Sequence, residues 1–198
     1  MKGTNERIQI ILASASPRRK ELLAKAGVSV EIVPADVVEH EDPNSCPREM
    51  VLYNAELKAV AIAEKYPDAL VIGADTTVAV DDTVLNKPRD MAEARFMIRR
   101  LSGRTHVVYT GVCFIRKSAL MKELHCVTSR VVFKDLSEDD ITRYFQLVNP
   151  LDKAGAYGIQ EGRDINIDHF EGPISNIMGL PVEFVVERLR QIAILKED

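Results

Sequence analysis

Residues 69–80, ALVIGADTTVAV, form the strongest β-strand pattern in the chain and limit the folds open to it. Apolar and β-branched residues at most positions are typical of a central strand that is buried on both faces. Asp75 nevertheless lies within this run, and a carboxylate inside a buried strand costs free energy unless it is paired or bound to a cation. Either Gly73 marks a turn or bulge that caps the acid, or Asp75 opens into a cleft and has a functional role. We favour the second interpretation.

Apolar periodicity divides the rest of the chain into alternating strands and helices. Strands are predicted at residues 8–13, 28–34, 69–80, 106–116, 120–127 and 129–134, and helices at 17–27, 47–65, 91–102, 135–148 and 182–195. This alternation is typical of the α/β class. The last three strands have no crossover helix between them, so the sheet is expected to be mixed. A chain of 198 residues without internal repeats suits one generous domain or two small lobes, and we expect a single domain over residues 1–198.

A second distinctive stretch is IILASASPRRKELL, residues 10–23, where a strand leads through a Ser-Ala-Ser turn into a helix. Ser16 takes the N-cap position and Pro17 the first helical position. The unpaired N–H groups and the positive dipole end of a helix N-terminus attract anions. Arg18 and Arg19 lie at the end that repels cations by roughly a few tenths of a kcal/mol, which a bound phosphate chain would explain. A solvated basic turn without a ligand is the alternative.

Net charge and cysteine usage exclude several classes of protein. A net charge of −4 argues against general electrostatic binding to nucleic acid or an anionic membrane, so a polyanion must be met by a local group of cations. The three cysteines are odd in number and lack CxxC spacing, which argues against a disulfide framework and a zinc site and fits a reducing cytosol. No apolar run approaches the ~20 residues of a membrane span. We therefore expect a cytoplasmic protein with no membrane or nucleic-acid partner.

The remaining unusual polar residues form a largely cationic set, spread over loops and the ends of elements. They are Ser14, Ser16, Arg18, Arg19, Lys58, Asp75, Lys87, Lys153 and Gln160, with Glu39 in the acidic loop 36–47 as a candidate metal ligand. Such a set suits a nucleoside triphosphate, with a carboxylate that holds Mg²⁺ or activates water. No GxxxxGK[ST] or GxGxxG motif follows a strand, and none of the four histidines lies in the context of a Ser–His–Asp set.

Six blocks of sequence carry a resemblance to the Maf family of nucleoside triphosphate pyrophosphatases. The blocks are LASASPRRKELL, GADTTV, NKPRD, LSGRTH, LDKAGAYGIQ and MGLPVE, in matching order from about residue 8 to residue 190. The resemblance implies hydrolysis of a nucleoside triphosphate to the monophosphate and pyrophosphate, with a divalent cation (Mg²⁺ or Mn²⁺) as cofactor. It also implies an elongated α/β fold related to the inosine triphosphatases, with a mixed sheet flanked by helices, two lobes around a cleft, and assembly as a homodimer.

The resemblance also implies roles for individual residues. Asp75 in GADT would accept the proton of the attacking water. The phosphates would be held by Ser14, Ser16, Arg18, Arg19, Lys58 and Lys87. Family members usually have two adjacent acids after the second strand, whereas this chain has Val38-Glu39. Metal binding would therefore depend on Glu39 and Asp75, or on the nearby Glu41.

Three positions separate the subgroups of the family by base. The subgroup that hydrolyses dTTP and UTP has arginine, threonine and glutamine where this chain has Arg18, Thr76 and Gln160. The subgroup that acts on 7-methyl-GTP has tryptophan, glutamine and glutamate, and this chain contains no tryptophan to stack on a methylated, cationic purine. We therefore expect hydrolysis of dTTP and UTP, in cleansing of nucleotide pools. The alternatives are a pyrophosphatase for 7-methyl-GTP or other non-standard purine nucleotides, and a non-catalytic nucleotide-binding regulator of cell division.

Overall fold

The described part of the chain, residues 8–192 of the computed structural model, contains a seven-stranded mixed sheet flanked by helices. The strands are β1 (Ile10–Leu12), β2 (Glu31–Ile32), β3 (Leu70–Val80), β4 (Thr83–Leu85), β5 (Thr105–Arg116), β6 (Met121–Phe133) and β7 (Ile167–Glu171). The helices are α1 (Pro17–Lys25), α2 (Pro47–Ala63), α3 (Met91–Leu101), α4 (Glu138–Leu147), α5 (Arg163–Asn166), α6 (Ile174–Ile177) and α7 (Val182–Gln191). The predicted α/β class with a mixed sheet is confirmed.

The order of the strands places β3 where parallel pairing changes to antiparallel pairing. The order is β2-β1-β3-β5-β6-β7, and β4 pairs with β3 outside this path. β1 is parallel to β2 and to β3, whereas β3, β5, β6 and β7 are antiparallel in succession. Parallel strands need a long crossover connection, and α1 and α2 supply it in the first part of the chain.

Strand β3 runs without interruption through the position of Asp75. Its ladder with β5 shows no shift of register, and Asp75 lies opposite Gly111. The turn or bulge considered at Gly73 is therefore absent. The carboxylate projects from the middle of a regular, central strand.

Helix α2 lies against β3 and β5 at two glycines. A β-carbon on Gly73 would lie 2.1 Å from the carbonyl oxygen of Ala55, and one on Gly111 would lie 2.2 Å from that of Val51. Both distances are far shorter than a van der Waals contact, so the helix backbone rests directly on the two strands. This close approach brings the polar side chains on that face of α2 next to Asp75.

Apolar clusters pack at the two ends of the long strands. One cluster includes Ile98 of α3 and Tyr144 of α4. At the other end, one cluster includes Leu23 of α1 and Leu189 of α7, and another includes Ile62 of α2. The middle of β3, residues 75–77, lies between these clusters and belongs to none of them. The extent of a single domain over residues 1–198 stays a prediction.

Three strand predictions are wrong in detail. The strands predicted at 120–127 and 129–134 are one continuous strand, β6, because Thr128 and Ser129 keep their places in the ladder opposite Tyr109 and Val108. Hydroxyl side chains are compatible with a strand, so they do not break it. The strand predicted at 28–34 is reduced to the two residues of β2.

Other differences come from short or exposed elements. Strand β7 and the four-residue helices α5 and α6 were not predicted, since most of the β7 side chains are exposed and show no apolar alternation. Helix α4 begins with a capping box formed by Ser137 and Asp140. The predicted end of the last helix, residue 195, lies outside the described residues. Within residues 8–192, no helix has the length and apolar character needed to cross a membrane.

Candidate active site

A cleft of about 890 Å³ opens along the middle of β3, and every residue assigned to the site from the sequence lines it. These residues are Ser14, Ser16, Arg18, Arg19, Glu39, Lys58, Asp75, Thr76, Lys87 and Gln160. They come from the turn into α1, the loop before α2, α2, β3, the loop after β4 and the loop between α4 and α5. The volume lies within the range of about 300–1,000 Å³ that is usual for small-molecule sites.

Lys58 joins two carboxylates inside the cleft. Its Nζ lies 2.8 Å from Asp75 Oδ1 and 2.5 Å from Glu39 Oε2. The side chains of Lys58 and Asp75 are 9% and 12% exposed, whereas that of Glu39 is 38% exposed. One buried ammonium group therefore holds a buried carboxylate and a partly exposed one at the same point.

The surroundings of Asp75 keep it ionised. Burial alone would raise the pKa of the Asp75 carboxyl, but the charge and hydrogen bond of Lys58 outweigh burial, helped by the charge of Arg19 and a hydrogen bond from Asn54. The pKa of Asp75 therefore lies below its ordinary value. A carboxylate of this kind can accept a proton, but it is a weak base.

Asn54 is a neighbour of Asp75 that the sequence prediction left outside the site. It is 2% exposed on α2, and its Nδ2 donates to Asp75 Oδ2 at 3.1 Å. The same amide makes two hydrogen bonds to the main chain of His40. Residues four apart on a helix share a face, so the spacing of Asn54 and Lys58 on an otherwise apolar stripe was the sequence pattern that could have identified it.

Arg19 is held within the protein rather than extended into the cleft. Its Nε donates to the Gly179 carbonyl at 2.8 Å, and its Nη1 donates to the Ala74 carbonyl at 2.8 Å and to Ser14 Oγ at 3.1 Å. Nη2 donates to Thr76 Oγ1 at 3.1 Å. Burial lowers the pKa of this guanidinium, which still carries its charge. With four of its five N–H groups engaged, Arg19 can offer a ligand its charge and one donor.

Thr76 is likewise engaged by the protein. Its hydroxyl donates to the Gly179 carbonyl at 3.0 Å, accepts from Arg19, and lies 3.0 Å from Thr110 Oγ1. A hydroxyl group has one donor and two acceptor sites, and three partners fill them. Thr76 therefore acts on the cleft through the position of Arg19.

The turn into α1 carries two serine hydroxyls, of which, within the described part of the chain, that of Ser14 is hydrogen-bonded and that of Ser16 is not. Ser14 Oγ accepts the N–H of Ser16 at 3.2 Å and the donor from Arg19, which fixes the turn. Ser16 has the predicted N-cap position of α1, but its side chain makes no capping hydrogen bond. The Ser16 hydroxyl and the N-terminus of α1 are thus open to the cleft.

The outer residues of the cleft differ in how firmly they are held. Arg18 Nη2 donates to the Asp152 carbonyl at 3.0 Å, and its Nη1 lies 3.3 Å from Asp152 Oδ2. Lys153 also pairs with Asp152, at 2.7 Å. Lys87 and Gln160 are exposed, and neither makes a hydrogen bond or ion pair with another residue between 8 and 192. These two side chains are free to meet a ligand.

Two buried tyrosines hold the loop that carries Gln160. Tyr157 Oη lies 2.7 Å from His106 Nε2, and Tyr144 Oη accepts the N–H of Gly158 at 3.0 Å. Burial lowers the pKa of His106 to about 3, so the imidazole is neutral at physiological pH. The chain just before Gln160 is therefore anchored at two successive residues, Tyr157 and Gly158.

The residues at the centre of the cleft fit a divalent cation. Glu39 and Asp75 provide hard carboxylate oxygens that lie within 2.8 Å of one nitrogen atom. Mg²⁺ is usually bound by one or two carboxylates, with water and substrate phosphates as the other ligands. Across residues 8–192 no group of three or more His, Cys, Asp or Glu is placed to surround an ion. The two carboxylates would therefore share a cation with the substrate.

The chain is similar to known proteins over nearly its whole length. The family model described as "Maf-like protein" matches residues 9–192. A dTTP/UTP pyrophosphatase from Akkermansia muciniphila is 46% identical over 180 residues, 91% of this chain and 94% of the relative. Proteins of the same name from Syntrophus aciditrophicus and Bacillus cereus are 43% and 44% identical, each over 94% of this chain and 91% of the relative. The chain therefore belongs to the Maf family.

Proposed function

We propose that this chain hydrolyses dTTP and UTP to the nucleoside monophosphate and pyrophosphate. Its relatives from A. muciniphila, S. aciditrophicus and B. cereus are named for that substrate pair. The observation that carries the proposal is the ionised carboxylate of Asp75, buried in the middle of β3 and paired with Lys58. It lines a cleft that also contains Arg18 and Lys87, which suit a polyphosphate.

The reaction needs a base for water and positive charge for the phosphates. A bond forms between the water oxygen and the α-phosphorus, Asp75 takes the proton, and the bond from the α-phosphorus to the bridging oxygen breaks. Its electron pair leaves with pyrophosphate. Lys58 and Lys87 stabilise the charge that develops on the phosphate oxygens. A divalent cation held by Glu39 and Asp75 would lower the pKa of water, which compensates for the weak basicity of Asp75.

The turn into α1 supports binding of the phosphate chain. The Ser16 hydroxyl and the N–H groups of the first turn of α1 are open donors beside the cleft. Arg18 adds a charged donor, while Arg19 fixes the turn through Ser14 and contributes its charge. Donors and a helix N-terminus together are favourable for an anion.

Selection of the base is assigned to the other side of the cleft. Gln160 is exposed, and its amide is free to pair with the O4 and N3 edge of a pyrimidine. Arg18 lies against the same loop through Asp152. Thr76 is assigned an indirect part, through Arg19. The chain contains no tryptophan to stack on 7-methylguanine.

Val38, which replaces an acid usual in the family, does not lower the number of carboxylates in the cleft. It is 93% exposed and lines an adjoining depression that shares Glu39, His40 and Met50 with the cleft. Glu39 and Glu41 line the cleft itself. The loop thus retains two carboxylates at the site, and the catalytic proposal does not require an acid at position 38.

The substrate proposal is tested with a panel of nucleotides. The purified protein is incubated with Mg²⁺ or Mn²⁺ and with dTTP, UTP, 7-methyl-GTP, ITP and the other common triphosphates, and released pyrophosphate is measured. We expect dTTP and UTP to give the highest kcat/KM. Faster turnover of 7-methyl-GTP or ITP would refute the pyrimidine assignment, and binding without turnover would favour the regulatory alternative.

The role of Asp75 is tested by Asp75→Asn. The amide cannot accept the proton from water, so we expect kcat to fall by about 10²-fold to 10⁴-fold. Nucleotide affinity, measured by calorimetry, should change little because the phosphate-binding residues remain. Asp168→Asn, on the exposed strand β7, is the matched control and should retain wild-type turnover. Full activity of Asp75→Asn would refute the assignment of the base.

The homodimer, the cytoplasmic location and the role in cleansing nucleotide pools are part of the same proposal. They rest on the family to which the chain belongs. Light scattering after size-exclusion chromatography measures the mass in solution, and a mass of one chain would refute the dimer.

A further inference from the structure

We infer that Asn54 is a positioning residue that sets Glu39 and Asp75 at a fixed separation and so shapes the site for a divalent cation. The inference rests on the proposed metal-assisted function. It goes beyond that function because it assigns control over the two predicted metal ligands to a neutral side chain. In the proposed function this side chain contacts neither the phosphates nor the base.

The hydrogen bonds of Asn54 define its orientation. Its Oδ1 accepts the main-chain N–H of His40 at 2.8 Å, and its Nδ2 donates to the His40 carbonyl at 2.9 Å and to Asp75 Oδ2 at 3.1 Å. Rotation of the amide by 180° would place its nitrogen against an N–H and its oxygen against a carbonyl and a carboxylate. Only one orientation of this buried amide is therefore compatible with its neighbours.

Asn54 and Lys58 divide the two oxygens of Asp75 between them. Lys58 Nζ holds Oδ1 and Asn54 Nδ2 holds Oδ2. An ammonium group on a flexible four-carbon stem is a point charge and does not by itself fix the plane of a carboxylate. The second donor, on a short side chain with two torsions, fixes that plane.

The same amide also fixes the loop that carries Glu39. Its two bonds to His40 tie the main chain immediately after Glu39 to α2. The Glu39 side chain then reaches Lys58, one turn further along the same helix face. Among the described residues, three other contacts hold the loop near this point: the partly exposed Glu39–Lys58 pair, the edge-on contact of the His40 ring with Tyr53, and a hydrogen bond from Asn86 to the Glu41 carbonyl. None of them ties the main chain of His40 to α2, and exposed ion pairs are weak.

Groups that orient metal ligands commonly control metal affinity by about 10-fold to 100-fold. Asn54 orients two ligands at once, since it contacts Asp75 directly and Glu39 through the backbone. Its loss should therefore weaken cation binding and lower kcat. The KM for nucleotide should change little, because Ser16, Lys87 and Gln160 remain in place.

The inference is tested with Asn54→Ala and Asn54→Leu, the second of which keeps the branched shape of the side chain without its polar atoms. Ile62→Val is the matched control, since Ile62 lies on the same helix, is 1% exposed and packs away from the polar residues of the cleft. Binding of Mn²⁺ alone, without nucleotide, is measured by electron paramagnetic resonance. Thermal unfolding is recorded for each variant, together with kcat and KM for dTTP at saturating Mn²⁺.

We expect both Asn54 variants to bind Mn²⁺ at least about tenfold more weakly than wild type, with a similar fall in kcat and a KM within about twofold. Ile62→Val should lose stability and keep both values. Wild-type Mn²⁺ affinity in either folded Asn54 variant would overturn the inference. An equal loss in Ile62→Val, or failure of both Asn54 variants to fold, would overturn it as well, because Asn54 would then serve the fold. If wild type hydrolyses no nucleotide, the proposed function fails, while the Mn²⁺ comparison still decides the role of Asn54.

Discussion

Lys58 contacts the carboxylates of Glu39 and Asp75, and the positive charge of Arg19 acts on the same two carboxylates. Both ion pairs are short, and two of the three side chains are largely buried. A buried charge is costly unless it is balanced by partners of opposite sign. Lys58 and Arg19 already balance the two carboxylates, so in the proposed function a divalent cation would depend on the substrate phosphates as well as on Glu39 and Asp75.

His106 gives the molecule a predictable dependence of stability on pH. Its pKa is lowered from 6.5 to about 3 by burial, so below pH 6.5 the unfolded chain binds a proton that the folded chain does not. The contribution of neutral His106 to the free energy of unfolding is therefore complete above pH 6.5 and is lost progressively as the pH falls towards 3. Each pH unit below 6.5 corresponds to about 1.4 kcal/mol, so the free energy of unfolding should be about 2 kcal/mol lower at pH 5 than at neutral pH because of His106.

His106→Gln should flatten this dependence in urea unfolding measured between pH 7 and pH 5. The variant should be less stable than wild type at pH 7, because the ring and its hydrogen bond to Tyr157 are lost. Tyr157→Phe is the matched control, since it removes the same hydrogen bond but keeps the buried imidazole and the steep pH dependence. An unchanged slope in His106→Gln would contradict the prediction.

Individual site residues could be predicted from the sequence where their chemistry conflicts with their surroundings. Asp75 is an acid within an apolar strand, and Arg18 and Arg19 lie at the cation-repelling end of a helix. Asn54 creates no such conflict, because an amide on a helix is ordinary. Its spacing from Lys58 on an apolar stripe marks its face of the helix, but its partners, His40 and Asp75, are 14 and 21 positions away and are brought next to it by the fold.

At the scale of elements, long apolar or well-capped segments were predictable and edges of the sheet were not. Strands β3 and β5 and helices α2, α3 and α4 follow their apolar patterns. Strand β7 does not, because an edge strand with most side chains in solvent obtains its stability from backbone pairing with β6 rather than from an apolar face. The contact of α2 with β3 could not be predicted either. A glycine within a strand is compatible with a bulge as well as with close approach of another backbone, and the sequence does not distinguish the two.

Gly73→Ala tests that contact. The added methyl group would meet the Ala55 carbonyl oxygen at 2.1 Å and the Ala59 β-carbon at 2.8 Å, so α2 must move away from β3. We expect a loss of about 3 kcal/mol in the free energy of unfolding, at the upper end of overpacking effects. We also expect reduced kcat, because Lys58 and Asn54 move with the helix.

Gly27→Ala is the control for Gly73→Ala. Gly27 ends α1 with a φ of +75° and has open space where a β-carbon would lie. Its substitution should cost about 1 kcal/mol of backbone strain and leave kcat unchanged. Denaturant unfolding and dTTP turnover measure both variants. Wild-type stability of Gly73→Ala would show that α2 can move without cost.

At the scale of the whole molecule, the cleft separates residues near the start of the chain from a loop near its end. Arg18 of α1 and Asp152 of the loop 149–162 are joined across it by a hydrogen bond and an ion pair. Both side chains are partly exposed, at 34% and 54%, so the pair should contribute less than about 1 kcal/mol to stability. Its consequence is geometric, because it sets the distance between Arg18 and the loop that carries Gln160.

Asp152→Ala should therefore alter selection between bases more than it alters stability. The variant removes the ion pair but keeps the main-chain carbonyl that accepts from Arg18, so Arg18 is held less firmly against the loop. We expect the ratio of kcat/KM for dTTP to that for 7-methyl-GTP to fall by up to about tenfold, equivalent to ~1.4 kcal/mol. Glu138→Ala is the matched control, since it removes exposed ion pairs with Arg95 and Arg99 that lie away from the cleft. It should leave the ratio at the wild-type value. Equal ratios in the two variants would mean that the link across the cleft does not contribute to recognition of the base, and that Gln160 acts without help from Arg18.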